Sequence, residues 1–232
     1  MNNRIKKKRW IAKCNNQTTT KQRTANRELC RRYPFLIPRY WSGKLAWDVK
    51  WDGRKEKAYF RTLAENFPSG WWKAFGLDLC EELRQDLIKC NYLYDFRMLE
   101  IKEKWGELRI YTCGLPEGSD TWDIIDDYSA LSRNICISCG KPDVCMINMA
   151  GWIQPICFDC YYKQKKKVNN CYRRKKLTDE EIKELYQQST VSDDSKMSGA
   201  RIVMRNEETI TYDLSAKAER IRARWRAKGG DK

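Results

Sequence analysis

The sequence predicts an α+β fold, in which a small helix–β-hairpin–helix core is followed by a four-cysteine zinc ribbon, with basic N- and C-terminal appendages. Three patterns lead to this prediction: helical spacing of apolar residues near residue 80, strand-like alternation near residue 105, and two cysteine pairs near residue 150. The expected segments, in chain order, are a basic N-terminal arm (1–27), the α+β core (28–132), the zinc ribbon (133–162), a basic tract and helix (163–188), a linker (189–199), and a hairpin with a basic C-terminal helix (200–232).

The core is expected to begin with an irregular packed segment and a helix. Residues 28–67 are rich in aromatic side chains and are broken by Pro34, Pro38, Gly43 and Gly53, which disfavours one long element. Its tryptophans fit a buried core better than a surface on which bases stack: Trp41, Trp47 and Trp51. Apolar side chains at steps of three and four then predict an amphipathic helix, on the stripe Trp72, Phe75, Leu79, Leu83 and Leu87.

A β-hairpin and a second helix complete the expected core. Leu99 and Ile101, then Leu108 and Ile110, alternate with charged neighbours on either side of a turn at Trp105-Gly106. Residues 120–132 predict a short helix that carries three apolar side chains on one face, namely Trp122, Ile125 and Tyr128.

Two cysteine pairs predict a metal site. Two residues separate Cys136 from Cys139, the pair Cys157 and Cys160 repeats that interval, and seventeen residues lie between the pairs, as in four-thiolate zinc sites. Each pair is expected to form a knuckle, and Gly140 suits the left-handed backbone that such a turn needs. The alternatives are two disulfides or four unrelated buried thiols. Four thiolates leave no open coordination position, so one structural zinc ion is expected.

The other cysteines indicate a reducing compartment. The chain has eleven cysteines, an odd number, so they cannot all pair within a monomer. Residues 1–13 contain no apolar segment typical of a secretory signal, and no run approaches the length of a membrane span, so we expect a soluble protein that stays inside the cell. Cys145 lies between the two pairs, where a small buried apolar residue is expected more than a fifth ligand or a redox switch.

The absence of histidine from the chain removes most enzyme classes, because imidazole is the commonest general base and a frequent zinc ligand in hydrolases. One remaining pattern, Asp95 before Glu100-Ile101-Lys102, resembles the end of a strand in metal-dependent nucleases. Alternation explains the same residues as the wet face of a strand. We therefore expect no enzymatic activity, with a metal-dependent nuclease as a remote alternative.

Positive charge is concentrated in three segments. Residues 1–27, 161–176 and 214–228 together hold 23 Lys or Arg and one acid, and the rest of the chain carries 23 basic against 30 acidic side chains. Basic arms on a mildly acidic body are typical of phosphate binding, although basic tails also occur for solubility alone. The tract after Cys160 is of special interest because the metal knuckle would anchor it.

Several motifs of the core resemble a known group of proteins. These are RYPFLIPRYWSGK, GWWKAFGLDLCEEL, IKEKWGELRIY, ICISCGKP and GWIQPICFDC, which span residues 30–160. Their combination resembles small proteins of unassigned function that recur in phages and prophages of Firmicutes-type bacteria. The resemblance implies a phage origin and a zinc knuckle, and it favours a small regulator or a counter-defence protein.

The C-terminal region is expected to hold two helices and a hairpin. Thr178 and Glu181 form a capping box before one helix, and residues 200–214 predict a hairpin that turns at Asn206-Glu207. The last helix carries the apolar stripe Leu214, Ala218, Ile221 and Trp225 among basic residues. It could lie in a nucleic-acid groove, dock on a protein, touch an anionic membrane surface, or pack on its own hairpin.

These observations favour a non-enzymatic, zinc-binding phage-type protein of the bacterial host cytoplasm that contacts nucleic acid or a host nucleoprotein complex through its basic arms and is regulatory. No membrane partner is expected. The alternative is a phage inhibitor that binds a host defence machine, such as a CRISPR effector, as a stoichiometric protein complex. The expected nucleic-acid-binding residues are Lys163, Lys165, Lys166, Lys167, Arg173, Arg174, Lys175, Lys176, Arg220, Arg222, Arg224 and Arg226.

Overall fold

A computed structural model describes residues 19–40, 42, 44–45, 61–149, 151–171, 177–191, 200–205 and 208–229. Several predictions fall outside these residues. They concern the first part of the basic arm, the breaks at Gly43 and Gly53, the turn at Asn206-Glu207, and the positions Trp41, Trp47, Trp51, Arg173, Arg174, Lys175 and Lys176.

Six helices organise the part of the chain that the structure describes, and one of them consists of three consecutive segments. They are α1 (Thr20–Arg32), α2 (Ser69–Trp71, continued by a π-helical segment Trp72–Gly76 and by Leu77–Lys89), α3 (Thr121–Ser132), α4 (Phe158–Cys171), α5 (Asp179–Gln188) and α6 (Ser215–Ala227). Short 3₁₀ helices cover Pro34–Leu36 and Leu63–Asn66. Within the described residues, no helix is both long enough and apolar enough to cross a membrane.

The strands pair as three two-stranded sheets. They are β1 (Arg97–Lys104) with β2 (Glu107–Cys113), β3 (Met146–Met149) with β4 (Trp152–Pro155), and β5 (Ala200–Arg205) with β6 (Glu208–Asp213). The last two pairs are antiparallel, with Met146 opposite Pro155 and Ala200 opposite Asp213. Mixed helices and small sheets confirm the α+β class.

The chain forms two compact units. The first unit lies within Met1–Phe67, Cys80–Lys102 and Ile110–Trp122. Its interior includes Phe35 and Phe96, whose rings meet edge to face with centroids 5.7 Å apart. The buried carboxylate of Asp86 accepts hydrogen bonds from the Thr121 hydroxyl (2.6 Å) and the Asp120 N–H (3.3 Å), so it holds the start of α3 in place.

The second unit lies within Pro68–Leu79, Glu103–Arg109 and Asp123–Lys232. One part of its interior joins α2 to α3, where the rings of Phe75 and Tyr128 have centroids 5.4 Å apart. Another surrounds the cysteine pairs and includes Ile147, Tyr161 and Ile182. The capping box predicted at Thr178 and Glu181 is confirmed, since each side chain accepts a hydrogen bond from the other residue's backbone N–H.

The helix stripe predicted from Trp72 is wrong at its first residue. Trp71 is fully buried with Phe75, Leu79, Leu83 and Leu87, whereas Trp72 is only partly buried. These large buried side chains recur every four residues, which is longer than the 3.6-residue period of an α-helix. The π-helical segment at Trp72–Gly76 supplies the wider turn that keeps these side chains on one face.

Two smaller expectations also need correction, and two of the expected segments are partly described. Trp122 is exposed although Ile125 and Tyr128 are buried, and Met98 rather than Leu99 accompanies Ile101 in the interior. The expected N-terminal arm includes the first turns of α1, because a helix begins at Thr20. The expected linker begins beside β3: the Ser189 carbonyl accepts a hydrogen bond from the Asn148 N–H (2.8 Å), and the Val191 N–H donates to the Met146 carbonyl (2.9 Å).

Candidate metal centre

Four sulfur atoms cluster in the second unit. The Sγ atoms of Cys136, Cys139, Cys157 and Cys160 all lie within 4.8 Å of one another, and those of Cys139 and Cys157 are 3.7 Å apart. Thiolates bound at about 2.3 Å to one tetrahedral zinc ion would lie about 3.8 Å apart. The four cysteines could therefore hold one metal ion, and no other group of three or more Cys, Asp or Glu in the described part of the chain is arranged to do so.

The first pair lies in a knuckle, as the spacing predicts. The Cys136 N–H donates to the Lys141 carbonyl (2.7 Å), and the Gly140 N–H donates back to the Cys136 carbonyl (2.9 Å). Gly140 has φ 87°, in the left-handed region that glycine adopts without strain. The tight turn brings the two sulfur atoms to the same side of the backbone.

The second pair does not form a second knuckle, so the expected zinc ribbon is wrong in this respect. Cys157 directly precedes α4, and Cys160 lies in the first turn of that helix, where the Tyr161 N–H donates to the Cys157 carbonyl (3.0 Å). The order along the chain is knuckle, hairpin β3–β4, then helix. The N-terminus of a helix favours negative charge, and this placement therefore suits thiolate ligands.

The cluster rests on an apolar floor built by later parts of the chain. The ring of Tyr186 on α5 packs edge to face against Tyr161 at 5.1 Å, and its hydroxyl donates to the Ile156 carbonyl (2.9 Å). Burial raises the pKa of Tyr186 to about 12. Because Ile182 on α5 is fully buried in the same group of side chains, α5 holds α4 beside the cysteines.

The beginning of α2 supports the knuckle from the other side, which the sequence reasoning missed. The Gly70 N–H donates to the Ile137 carbonyl (2.9 Å), and Trp71 Nε1 donates to the Ile135 carbonyl (2.8 Å). A Cβ atom at Gly70 would lie 2.2 Å from the Cys136 carbonyl oxygen, so only glycine fits. The sequence offered one signal, the glycine in the pattern SGWW. A glycine can indicate a close approach of another part of the chain, but it does not identify that part.

The thiols differ in their electrostatic surroundings. The pKa of Cys136 is lowered to about 4, first because the Cys157 thiol donates to it and then because backbone N–H groups point at its sulfur. One of these donors is the Cys157 N–H, 3.4 Å from Cys136 Sγ. The shared proton raises the pKa of Cys157, and burial raises the pKa of Cys160 to about 12. A bound cation would stabilise the thiolate forms of all four.

Cys145 differs from its prediction. Its side chain is exposed, and it is not a member of the sulfur cluster. The residue lies just before β3, between the buried Val144 and Met146, so the alternation of the chain turns it outward.

The predicted nucleic-acid-binding residues fall into two structurally different groups. On α4, Lys163 and Lys167 are exposed four residues apart, Lys165 Nζ lies 5.2 Å from the Tyr161 ring centroid, and Lys166 forms an ion pair with Asp179. Arg173, Arg174, Lys175 and Lys176 lie outside the described residues.

The arginines of α6 are instead engaged with the second unit. Arg222 forms an ion pair with Asp143 (2.8 Å), Arg224 with Asp78 (2.9 Å), and Arg226 with Glu219. Arg220 is exposed and has interactions of its own. The apolar stripe is buried at Leu214, Ala218 and Ile221. A phosphate would have to compete with carboxylates for Arg222, Arg224 and Arg226.

The pattern that suggested a nuclease does not gather carboxylates. Lys102 Nζ pairs with Glu100 (2.7 Å) and lies 4.7 Å from the centroid of the Tyr111 ring, while Asp95 is exposed before β1. These contacts are those of the exposed face of a strand.

Comparisons with known proteins return no relative: no family model, curated protein or solved structure matches the chain. The resemblance to phage proteins therefore stays a prediction.

Proposed function

We propose that the chain is a zinc-stabilised, non-enzymatic protein that binds nucleic acid, alone or in a nucleoprotein complex, and acts as a regulator. The observation that carries this proposal is the position of α4. The helix begins at the second cysteine pair and continues as a basic segment, without an acidic residue from 160 to 178. A metal ion that fixes the start of α4 would also fix the basic side chains that follow it.

Zinc fits the donor set best. Thiolates are soft ligands that select zinc, copper(I) or iron–sulfur clusters, and an S₄ set of this size suits a single tetrahedral ion. Cys136, Cys139, Cys157 and Cys160 would hold the ion, and its positive charge would keep their sulfurs deprotonated. With four protein ligands the centre has no position for a substrate, so its role is to stabilise the second unit.

The lysines of α4 supply contacts to phosphate. Lys163 and Lys167 lie one turn apart on the same exposed face, so both can reach one nucleic-acid backbone. Lys166 is held by Asp179, and Lys165 lies over the Tyr161 ring, which leaves the first two as the strongest contributors. Such contacts carry little sequence information, and binding should be similar across sequences.

Two exposed tryptophans in the same unit add a surface for unpaired bases. Trp105, 77% exposed at the β1–β2 turn, and Trp152, 62% exposed on β4, line one cleft of about 410 Å³ together with Lys104. Trp105 has φ 60°, a conformation that bulky residues rarely adopt and that costs stability. A strained and largely exposed indole supports a binding function, and bases stack readily on indole rings.

The proposal is tested by measuring affinity for single- and double-stranded DNA and RNA over a salt series, with the zinc-loaded protein. We expect affinity to fall steeply with salt, and the double substitution Lys163→Gln/Lys167→Gln to reduce the slope of log K against log salt by about 1 to 2. The matched control is Lys73→Gln/Lys89→Gln, which removes two exposed lysines elsewhere and should leave the slope unchanged.

Weak binding that does not depend on salt would contradict the proposal. It would favour the inhibitor hypothesis, in which the partner is a host protein complex and the measurement to make is stoichiometric complex formation. Cleavage of the nucleic acid in the presence of magnesium that Glu100→Ala abolishes would instead show an enzyme.

A further inference from the structure

A second cleft lies in the first unit and is lined by arginines. It has a volume of about 280 Å³, and the positively charged residues around it are Arg31, Arg39 and Arg97. The floor is apolar, with the buried rings of Phe35 and Phe96, and Tyr94, which is 78% exposed, lies at the edge. None of the described lining residues is acidic.

Three different elements bring these arginines together. Arg31 lies in the last turn of α1, Arg39 follows the Pro34–Leu36 turn, and Arg97 is the first residue of β1. Guanidinium groups stay protonated in proteins, so the cleft concentrates positive charge. Burial first, and then the positive charge of Arg97, lower the pKa of Arg39.

Arg97 also has an unsatisfied donor. Its Nε is buried and has no hydrogen-bond partner within the described part of the chain. A buried donor of a charged group without an acceptor is costly, and native structures usually satisfy it with protein, water or a ligand. A ligand that accepts hydrogen bonds and also carries negative charge would therefore suit this group of arginines.

We propose that this cleft binds a phosphate group, held by the guanidinium groups of Arg31, Arg39 and Arg97. A phosphate presents several oxygen acceptors to planar guanidinium donors, often two at a time. It would accept a hydrogen bond from Arg97 Nε, and its negative charge would offset the repulsion between the arginines. The volume admits a phosphate with part of the sugar or base attached to it. The group could belong to a nucleic-acid backbone or to a free phosphate or mononucleotide, and the test separates these sources.

The proposal uses none of the residues of α4 and can fail or succeed independently of the proposed function. Binding is measured by calorimetry at constant ionic strength with three probes: inorganic phosphate, adenosine monophosphate, and an abasic deoxyribose-phosphate oligomer. We expect at least one probe to bind, and we expect Arg97→Gln to lower the affinity for that probe by about tenfold or more. Preference for the first two probes identifies a terminal phosphate, and preference for the oligomer identifies a backbone phosphodiester.

Two variants and one further readout distinguish a binding role from a structural one. Arg31→Gln, at an exposed position of α1, should also weaken binding of the probe. Arg109→Gln, which replaces an exposed arginine of β2, should leave that binding unchanged. Without ligand, Arg97→Gln should unfold at the same temperature as the wild type or higher, because it removes charge repulsion and a buried unsatisfied donor. No binding of any probe, or equal binding by Arg97→Gln, Arg31→Gln and wild type, would overturn the proposal.

Discussion

Arg224 on α6 donates a hydrogen bond from Nη1 to the backbone carbonyl oxygen of Ala74, 2.7 Å away. Ala74 lies in the π-helical segment of α2, where the regular helical ladder is interrupted. The same guanidinium pairs with Asp78 one turn later, at 2.9 Å. A single side chain from the C-terminal helix therefore fastens α6 to the irregular turn of α2.

We expect Arg224→Met to lower the free energy of unfolding by about 1–3 kcal/mol, because it removes hydrogen bonds of a charged group to a carbonyl and a carboxylate that are partly buried. Urea denaturation of the zinc-loaded protein measures the change. Arg226→Met is the matched control on the same helix. Its exposed ion pair with Glu219 should contribute only about 0–1 kcal/mol. Equal effects of the two substitutions would contradict the role of the Ala74 contact.

The metal centre is tested by two serine substitutions in one segment. Cys157→Ser removes a buried member of the proposed ligand set, and we expect the purified protein to contain no zinc and to lose the ordered structure around the cysteines. Cys145→Ser changes an exposed cysteine outside the cluster and should retain one zinc per chain. Elemental analysis and far-ultraviolet circular dichroism give both readouts. One zinc per chain in Cys157→Ser would show that the ligand set is wrong.

The support of the knuckle by α2 predicts a strong effect at Gly70. Gly70→Ala places a Cβ atom 2.2 Å from the Cys136 carbonyl oxygen, and backbone cannot move aside without disturbing the knuckle. We expect a loss of about 3 kcal/mol or more in the free energy of unfolding, together with faster zinc release to a chelator. Gly118→Ala is the control, since its Cβ meets nothing within 4 Å, and its left-handed φ should cost about 1–2 kcal/mol. Zinc release at the wild-type rate in Gly70→Ala would refute this coupling.

The strained turn at Trp105 predicts opposite effects on stability and binding. Trp105→Asn places a residue that suits the left-handed conformation in the β1–β2 turn, so stability should stay the same or rise by about 1 kcal/mol. Affinity for single-stranded DNA should fall by about fivefold to a hundredfold if bases stack on this indole. Thermal unfolding and fluorescence anisotropy measure the two effects. Trp122→Gln removes another exposed tryptophan and should leave affinity unchanged.

Acid should weaken an ion-pair network of the first unit. Glu81 accepts hydrogen bonds from Arg32 (2.8 Å) and the Tyr33 hydroxyl (3.0 Å), and the Arg32 hydrogen bond is the main reason that the pKa of Glu81 is lowered. Such a carboxylate contributes stability that is complete above its ordinary pKa of about 4.3 and is lost as the pH falls through the lower, folded-state pKa.

We therefore expect the stability difference between wild type and Glu81→Gln to shrink below about pH 4. Acid also displaces zinc from thiolates, so the comparison is made between variants at each pH rather than across pH. Glu117→Gln, at an exposed position, should follow the wild type. A difference between wild type and Glu81→Gln that does not change with pH would show that the network does not depend on the charge of Glu81.

Local patterns account for the parts of the fold that the sequence predicted well. The interval between Cys136 and Cys139, with glycine next, specifies a knuckle because few other structures need that combination. The capping box at Thr178 and the turn at Trp105-Gly106 likewise depend on residues close together in the chain.

Contacts between distant residues account for what the sequence did not predict. Whether a second cysteine pair forms a knuckle or starts a helix depends on what packs beside it, here Tyr186 and Ile182, which come some 25 residues later. Nothing in the sequence distinguishes Arg224 from the other basic residues of α6, because its role depends on contacts with Ala74 and Asp78, which are distant in the chain. The arginines of the cleft that we propose to bind phosphate come from three elements, and no spacing in the sequence relates them.

The contact between Gly70 and the knuckle has a consequence for fragments of this protein. A peptide that covers residues 133–162 contains the four cysteines of the cluster but lacks the Gly70 and Trp71 donors and the Ile182 and Tyr186 side chains. The segment that holds the cysteine cluster is thus not a portable module that can be excised or grafted with its contacts intact. Its supporting contacts include a piece of chain that begins more than sixty residues before Cys136, so truncation should be planned around three-dimensional neighbours and not around the cysteine motif.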